Sequence, residues 1–219
     1  MSVSENILKI KSELPNNVTL VAVSKTKPIS DLQQAYDVGQ RIFGENKIQE
    51  MTEKWEAMPK DIDWHMIGHV QTNKVKFMAP YVKLIHGVES LKLLQEIDKQ
   101  AKKNNRKIDC LLQMFIAQEE TKFGLDESEL FEILDSEIFQ NLENINIVGL
   151  MGMASFTNNE NQIREEFQKL KATFDLIHNK KTHNLNPTIL SMGMSGDYKI
   201  AIELGSSMVR IGSSIFAVS

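Results

Sequence analysis

Short runs of apolar and β-branched residues recur along the chain and alternate with longer stretches of helical period. Thr19–Val23, Arg41–Phe43, Asp63–Ile67, Lys83–His86, Asp109–Ile116, Asn146–Leu150, Thr188–Leu190 and Met208–Ile211 read as eight strands. Between them lie helix start signals. Ser30-Asp31-Leu32-Gln33 and Asp126-Glu127-Ser128-Glu129 both pair a capping side chain with Gln or Glu three residues on. Ser2-Val3-Ser4-Glu5 has the same form and predicts an extra helix ahead of the first strand. From Glu160 to Ile177, residues Ile163, Phe167, Leu170, Phe174 and Ile177 share one helical face. Gly39 and Gly205 stand where helices should stop.

Strand then helix, repeated, implies a parallel sheet covered by helices. Eight such units in 219 residues suit a closed (β/α)8 barrel better than an open sheet. No linker or low-complexity block divides the chain, so one domain over residues 1–219 is expected. The second strand is short, and the residues after Arg210 are too few for a full eighth helix; the amino-terminal helix is expected to close that gap.

Composition narrows the function. Twenty-five Lys+Arg against twenty-nine Asp+Glu give a net charge of −4, which argues against nucleic acid as the partner. A single cysteine, Cys110, excludes an intramolecular disulfide framework and any C-x-x-C motif. No apolar run approaches the roughly 18–20 residues that span a bilayer. The start, MSVSENILKIKSEL, lacks the form of a signal or transit peptide, so a cytoplasmic protein with no membrane partner is expected.

In a barrel of this kind chemistry gathers at the carboxyl ends of the strands. The first strand runs into Ser24-Lys25-Thr26-Lys27-Pro28, and Lys25 has the parity of Val21 and Val23. If those valines fill the interior, Lys25 emerges at the mouth, where an amine is suited to condense with a carbonyl. A solvated loop lysine is the plainer alternative. Ser191-Met192-Gly193-Met194-Ser195-Gly196-Asp197 follows the seventh strand and Arg210-Ile211-Gly212-Ser213-Ser214 ends the eighth, the two places where such barrels hold phosphate. Small residues there let backbone N–H groups approach an anion, though ordinary turn chemistry uses them too. Asn46, after the second strand, donates to a ligand or caps the next helix. His65 and His69, four apart on a strand and its turn, lack the helical spacing of a metal site. Lys122, in the loop after the fifth strand, is a second candidate amine. Glycine-rich dinucleotide, P-loop and nucleophile-elbow motifs are all absent.

Taken together, VAVSKTKP, FGEN, WHMIGHVQTNK, EETKFGL, GLMGMAS, SMGMSGD and SSMVRIGSSIF, in this order, resemble the pyridoxal phosphate homeostasis protein family. Its members are relatives of the amino-terminal barrel of alanine racemase. The similarity runs from about Val18 to Phe216. It implies an α/β, single (β/α)8 TIM barrel of the alanine racemase amino-terminal type, carrying pyridoxal 5′-phosphate as an imine on Lys25. It further implies phosphate contacts from Ser195, Gly212 and Ser213, Arg210 facing the pyridine nitrogen, Asn46 lining the pocket and Lys122 nearby. Ser213 replaces the more usual threonine, His69-Val70 replace proline and leucine, and the tail lacks a glycine after Ile215-Phe216.

The family's role implies a non-catalytic carrier that buffers the cofactor and delivers it to apo-enzymes, within vitamin B6 balance. A permanently cationic Arg210 would weaken the ring as an electron sink, and a counterpart of the racemases' second domain is not expected. Tyr198, which follows the seventh-strand loop, is the tyrosine to suspect as an acid/base. The alternatives are a slow amino-acid racemase using Lys25 as a base, and a cofactor-free aldolase with Lys25 attacking a phosphorylated sugar.

Overall fold

All eight apolar segments form strands, and their ladder closes on itself. The structure, a computed structural model, describes residues 2–118, 123–180 and 182–217. The strands are β1 (Thr19–Val23), β2 (Ile42–Glu45), β3 (Asp63–Met66), β4 (Leu84–Val88), β5 (Ile108–Met114), β6 (Ile145–Gly152), β7 (Leu185–Ser191) and β8 (Met208–Ile211). They follow chain order around a closed barrel, every pairing parallel, with β8 returning to β1. The expected (β/α)8 barrel is therefore the observed one.

The helices are α1 (Val3–Glu13), α2 (Ile29–Asp37), α3 (Ile48–Ala57), α4 (Val75–Met78), α5 (Leu91–Lys103), α6 (Glu127–Asp135), α7 (Glu137–Gln140), α8 (Glu160–His178), α9 (Tyr198–Glu203) and α10 (Ser213–Phe216). Capping boxes open α1 at Ser2 and α6 at Asp126, as their sequences predict. The start predicted at Ser30 is displaced. Pro28, already extended at φ −70°, takes the N-cap place without a side-chain bond, and Ser30 falls inside the first turn of α2. The last unit is completed from the other end of the chain: Asn6 of α1 donates to the Ile215 carbonyl at 2.9 Å, beneath the four-residue α10. Among the described residues no helix is long and apolar enough to cross a membrane.

Strand alternation divides the apolar residues into two sets. One lies between strands and helices and includes Leu20, Ala22, Phe43, Trp64, Leu112, Leu150 and Val209. The other fills the barrel interior: Val21, Leu84, Leu111, Val148, Met151 and Met208. Val21 thus faces inward, as the placing of Lys25 required, whereas Val23 is only half-buried and is not part of the interior set. Strand register shifts around Val148 of β6 on both sides: Cys110 pairs Ile147 but Leu111 pairs Gly149, and Ile147 pairs Leu185 but Gly149 pairs Ile189. The extra β7 residues, Pro187 among them, are absorbed in that irregularity.

Candidate functional site

β1 carries Lys25 just past its end. The ladder continues one bond beyond the strand, Ser24 N–H donating to the Gly44 carbonyl at 3.0 Å, and Lys25 follows with its side chain exposed. Lys25 makes no hydrogen bond or ion pair with any described residue. Its neighbour Lys27 is spent elsewhere, donating to the Phe216 carbonyl at 3.2 Å.

The peptide groups on both sides of Lys25 are held. Lys54 Nζ, on α3, donates to the Ser24 carbonyl at 2.7 Å, while Glu50 accepts the Thr26 N–H at 2.6 Å. Thr26 sits at φ 63°, a left-handed conformation that a β-branched residue adopts only when its surroundings impose it. Lys54 also pairs with Glu45 at 2.8 Å and with Glu50 at 2.7 Å, and Ser24 Oγ donates to Glu45 at 2.6 Å. Glu45 and Ser24 are wholly buried and Lys54 nearly so. Burial raises the Glu45 carboxyl above its ordinary range, against the pull of Lys54 and Ser24, and its Oε2 has no partner.

Across the barrel seam, the β7 and β8 turns interlock. Asp197 accepts the Met194 N–H at 2.5 Å and so closes the turn that presents Ser195. Gly193, at φ 98°, packs where a methyl would come within 2.6 Å of Ala201 Cβ, and its carbonyl accepts the Arg210 N–H at 2.9 Å. Ser195 Oγ lies beside two backbone donors at once, the N–H groups of Gly212 (3.3 Å) and Ser214 (3.5 Å). Such convergence suits an anionic oxygen better than a neutral hydroxyl. Gly212 is also pressed on β1: a methyl there would lie 3.1 Å from the Val23 carbonyl oxygen and 3.2 Å from Val23 Cβ. The start of the β8 turn is thus pressed against the end of β1. This donor set fits a phosphate.

Arg210 points inward from β8 and is almost completely buried. Its guanidinium donates to the Ser191 carbonyl (2.9 Å), to Ser191 Oγ (2.5 Å) and to the Gly152 carbonyl (3.0 Å). Burial lowers it to about 10, with Asp197 pulling the other way, so it remains a cation at neutral pH.

Lys25, Asn46, Ser195, Arg210, Gly212 and Ser213 therefore all lie at or just beyond the carboxyl ends of four contiguous strands, β7, β8, β1 and β2. Asn46 does not cap α3, whose N-cap is Lys47 without a side-chain bond; it lines a cavity of about 450 Å³ with Met66, His69 and Lys74, which none of the other five residues lines, and Ser195 lines a separate one. Lys122 lies outside the described residues. His65 and His69 part company, His65 bonding His86 at 3.1 Å inside the barrel and His69 pairing with Glu89 at 2.9 Å. Each tyrosine hydroxyl is engaged: Tyr36 with Asp61, Tyr81 with Thr52, and Tyr198 with Glu13 at 3.0 Å.

Sequence reasoning missed Glu45, Glu50 and Lys54 around Lys25, and His86 and Ser191 beside Arg210. Lys54 did leave a trace, since Ile48, Met51 and Lys54 share the buried face of α3. A lysine on an apolar face signals a buried partner.

The barrel and the chemistry at its mouth define a class. Residues 2–219 match the family described as alanine racemase, N-terminal domain. An alanine racemase from Clostridium difficile superposes with a TM-score of 0.83 at 15% identity, over 100% of this chain and 60% of that one, a likeness of fold alone. Within that class the relatives are specific. The pyridoxal phosphate homeostasis protein of Aquifex aeolicus is 38% identical over 202 residues, 92% of this chain and 87% of its own length. The structure of PipY from Synechococcus elongatus PCC7942 with PLP bound has 30% identity and a TM-score of 0.89, covering 99% of this chain and 100% of that one. The chain belongs to the pyridoxal phosphate homeostasis protein family.

Proposed function

We propose that this protein holds pyridoxal 5′-phosphate as an imine on Lys25 and buffers or delivers it without turning over a substrate. The observation that carries this reading is the contact between Gly212 and Val23. It sets the anion-binding turns after β7 and β8 against the strand that bears a free amine. In this reading Ser195, Gly212 and Ser213 grip the phosphate, Asn46 lines the pocket, and Arg210 faces the pyridine nitrogen. The whole of residues 1–219 serves as one cofactor-binding domain. The cofactor brings an aldehyde that condenses with an amine and a ring able to withdraw electrons.

The chain's own residues favour storage over catalysis. Arg210, cationic at neutral pH, competes with protonation of the ring nitrogen and weakens electron withdrawal. Tyr198, the tyrosine nearest the β7 turn, is committed to Glu13, and Tyr36 and Tyr81 to Asp61 and Thr52, so none of the three offers a free hydroxyl as a second acid/base. Lys25, exposed and without a partner among the described residues, is open to water and to incoming amines, which lets the aldehyde be taken up and surrendered reversibly. Apo-enzymes that need this cofactor are the recipients in this account, and the cytoplasm its setting.

A visible-range spectrum tests it. Protein mixed with pyridoxal phosphate should gain a yellow imine band that Lys25→Ala abolishes, and no amino acid of a panel of twenty should exchange its α-proton in deuterated water. A colourless wild-type mixture removes the binding reading. Lys25-dependent exchange converts the carrier into a racemase.

A further inference from the structure

The barrel interior holds a polar chain that the account so far does not use. His65 on β3 is level with Leu84 of β4, His86 stands two residues further along β4, and both are buried, as are Ser191 and Arg210. His65 Nδ1 is 3.1 Å from His86 Nε2, His86 Nδ1 is 3.2 Å from Ser191 Oγ, and Ser191 Oγ is 2.5 Å from Arg210 Nη1. β4 and β7 are separated around the wall by β5 and β6, so the His86–Ser191 bond crosses the interior. Four residues far apart in sequence thus make one line from β3 to β8.

The line has a direction, and chemistry sets it. A guanidinium only donates, so Ser191 Oγ accepts from Arg210. The serine proton then needs an acceptor, and His86 Nδ1 is the one within reach. His86 Nδ1 must be bare, which puts its proton on Nε2, where it is donated to His65 Nδ1. His65 in turn carries its proton on Nε2. The reverse order would aim two donors at Ser191 Oγ and leave a buried hydroxyl proton unpartnered, a lost hydrogen bond in a dry site. Both rings must also be neutral for this pattern. Burial lowers His65 to about 3 and His86 well below its ordinary value, the nearby Arg210 cation adding to the latter.

We propose that His65, His86 and Ser191 form a one-way, uncharged hydrogen-bond relay that positions the Arg210 guanidinium toward the barrel mouth. Each donor polarises the next acceptor, so the Ser191 oxygen that receives Arg210 is a stronger acceptor than an isolated hydroxyl. Ser191 takes both Nη1 hydrogens and Gly152 one from Nη2, so the Nε–H and the second Nη2–H are left for the ligand. The three are positioning residues. Their value to binding rests on the reading that Arg210 meets the cofactor ring, whereas the tautomers do not.

Two measurements separate those layers. In ¹⁵N-histidine-labelled protein without cofactor, long-range ¹H–¹⁵N spectra should show His65 and His86 as neutral Nε2–H tautomers, unchanged between pH 6 and 8. A charged ring, or an Nδ1–H tautomer at His86, overturns the relay. For function, His86→Leu should still be trapped on Lys25 by borohydride yet bind pyridoxal phosphate about tenfold more weakly, with its visible band displaced. His86→Gln, which can accept and donate, should recover much of that loss. Ser191→Ala deletes one atom and should reproduce His86→Leu, so it decides the matter if the leucine variant does not fold. Wild-type affinity and an unmoved band in both variants overturn the positioning role. A wild-type protein that takes up no cofactor fails the functional reading, while the tautomer spectra still judge the relay.

Discussion

Replacing Lys54 by methionine removes the cation from the buried cluster that holds Lys25. Lys54 Nζ makes three bonds of 2.7–2.8 Å, to the Ser24 carbonyl, Glu45 and Glu50. Glu50 is partly exposed and can turn to water, but Glu45 is fully buried and pairs with no other cation among the described residues. Breaking a buried pair by removing one partner costs about 3–5 kcal/mol, because the orphaned charge stays desolvated. For a chain of this size that corresponds to a fall in Tm of about 6–20 °C. The double variant Lys54→Met/Glu45→Leu should regain most of the loss, since apolar replacement of a whole buried pair is often neutral. The Glu45 carboxyl already lies above its ordinary value because it is buried, and losing Lys54 pushes it further up. A raised carboxyl binds its proton more tightly folded than unfolded, so the penalty grows as pH rises above that value and shrinks as pH falls toward it. Urea melts followed by circular dichroism at pH 5 and pH 8 give all four numbers. A single variant within about 1 kcal/mol of wild type, or a double variant no better than the single, refutes the cluster's role.

Other outcomes follow from the same geometry. Ser195→Asp sets a carboxylate against the Gly212 and Ser214 N–H groups and should weaken pyridoxal phosphate binding by at least about tenfold, while leaving the binding of unphosphorylated pyridoxal nearly unchanged; competition titrations distinguish the two. Gly212→Ala forces a methyl to 3.1 Å from the Val23 carbonyl and should lower stability by about 1–3 kcal/mol, read from urea melts. Cys110 is fully buried and its thiol is pushed up by burial, so it should react with a thiol reagent only as fast as the protein unfolds.

Strand existence was legible because each strand is an apolar run, and β1 and β8 are found at their predicted bounds. The beginning of β7 was not. Asn186 and Pro187 interrupt the apolar pattern, and only the register break against β6 accommodates them. The start of α2 was misplaced because Ser30 has the chemistry of a cap, while Pro28 has the backbone for one. At the site, Lys25, Ser195, Arg210 and Gly212 could be read because they sit at strand ends, where topology alone brings them together. The partners in the Lys54–Glu45 pair and the His65–His86–Ser191 line could not, because both are tertiary contacts: the place of Lys54 on the apolar face of α3 hints at a buried partner without naming it, and the others read as ordinary strand positions.

The central claim is that Lys25 is the amine that captures the aldehyde. Wild-type protein incubated with pyridoxal phosphate, reduced with borohydride, digested and weighed peptide by peptide should carry one reduced adduct, on the peptide containing Lys25. An adduct confined to another lysine, or none at all, contradicts the account.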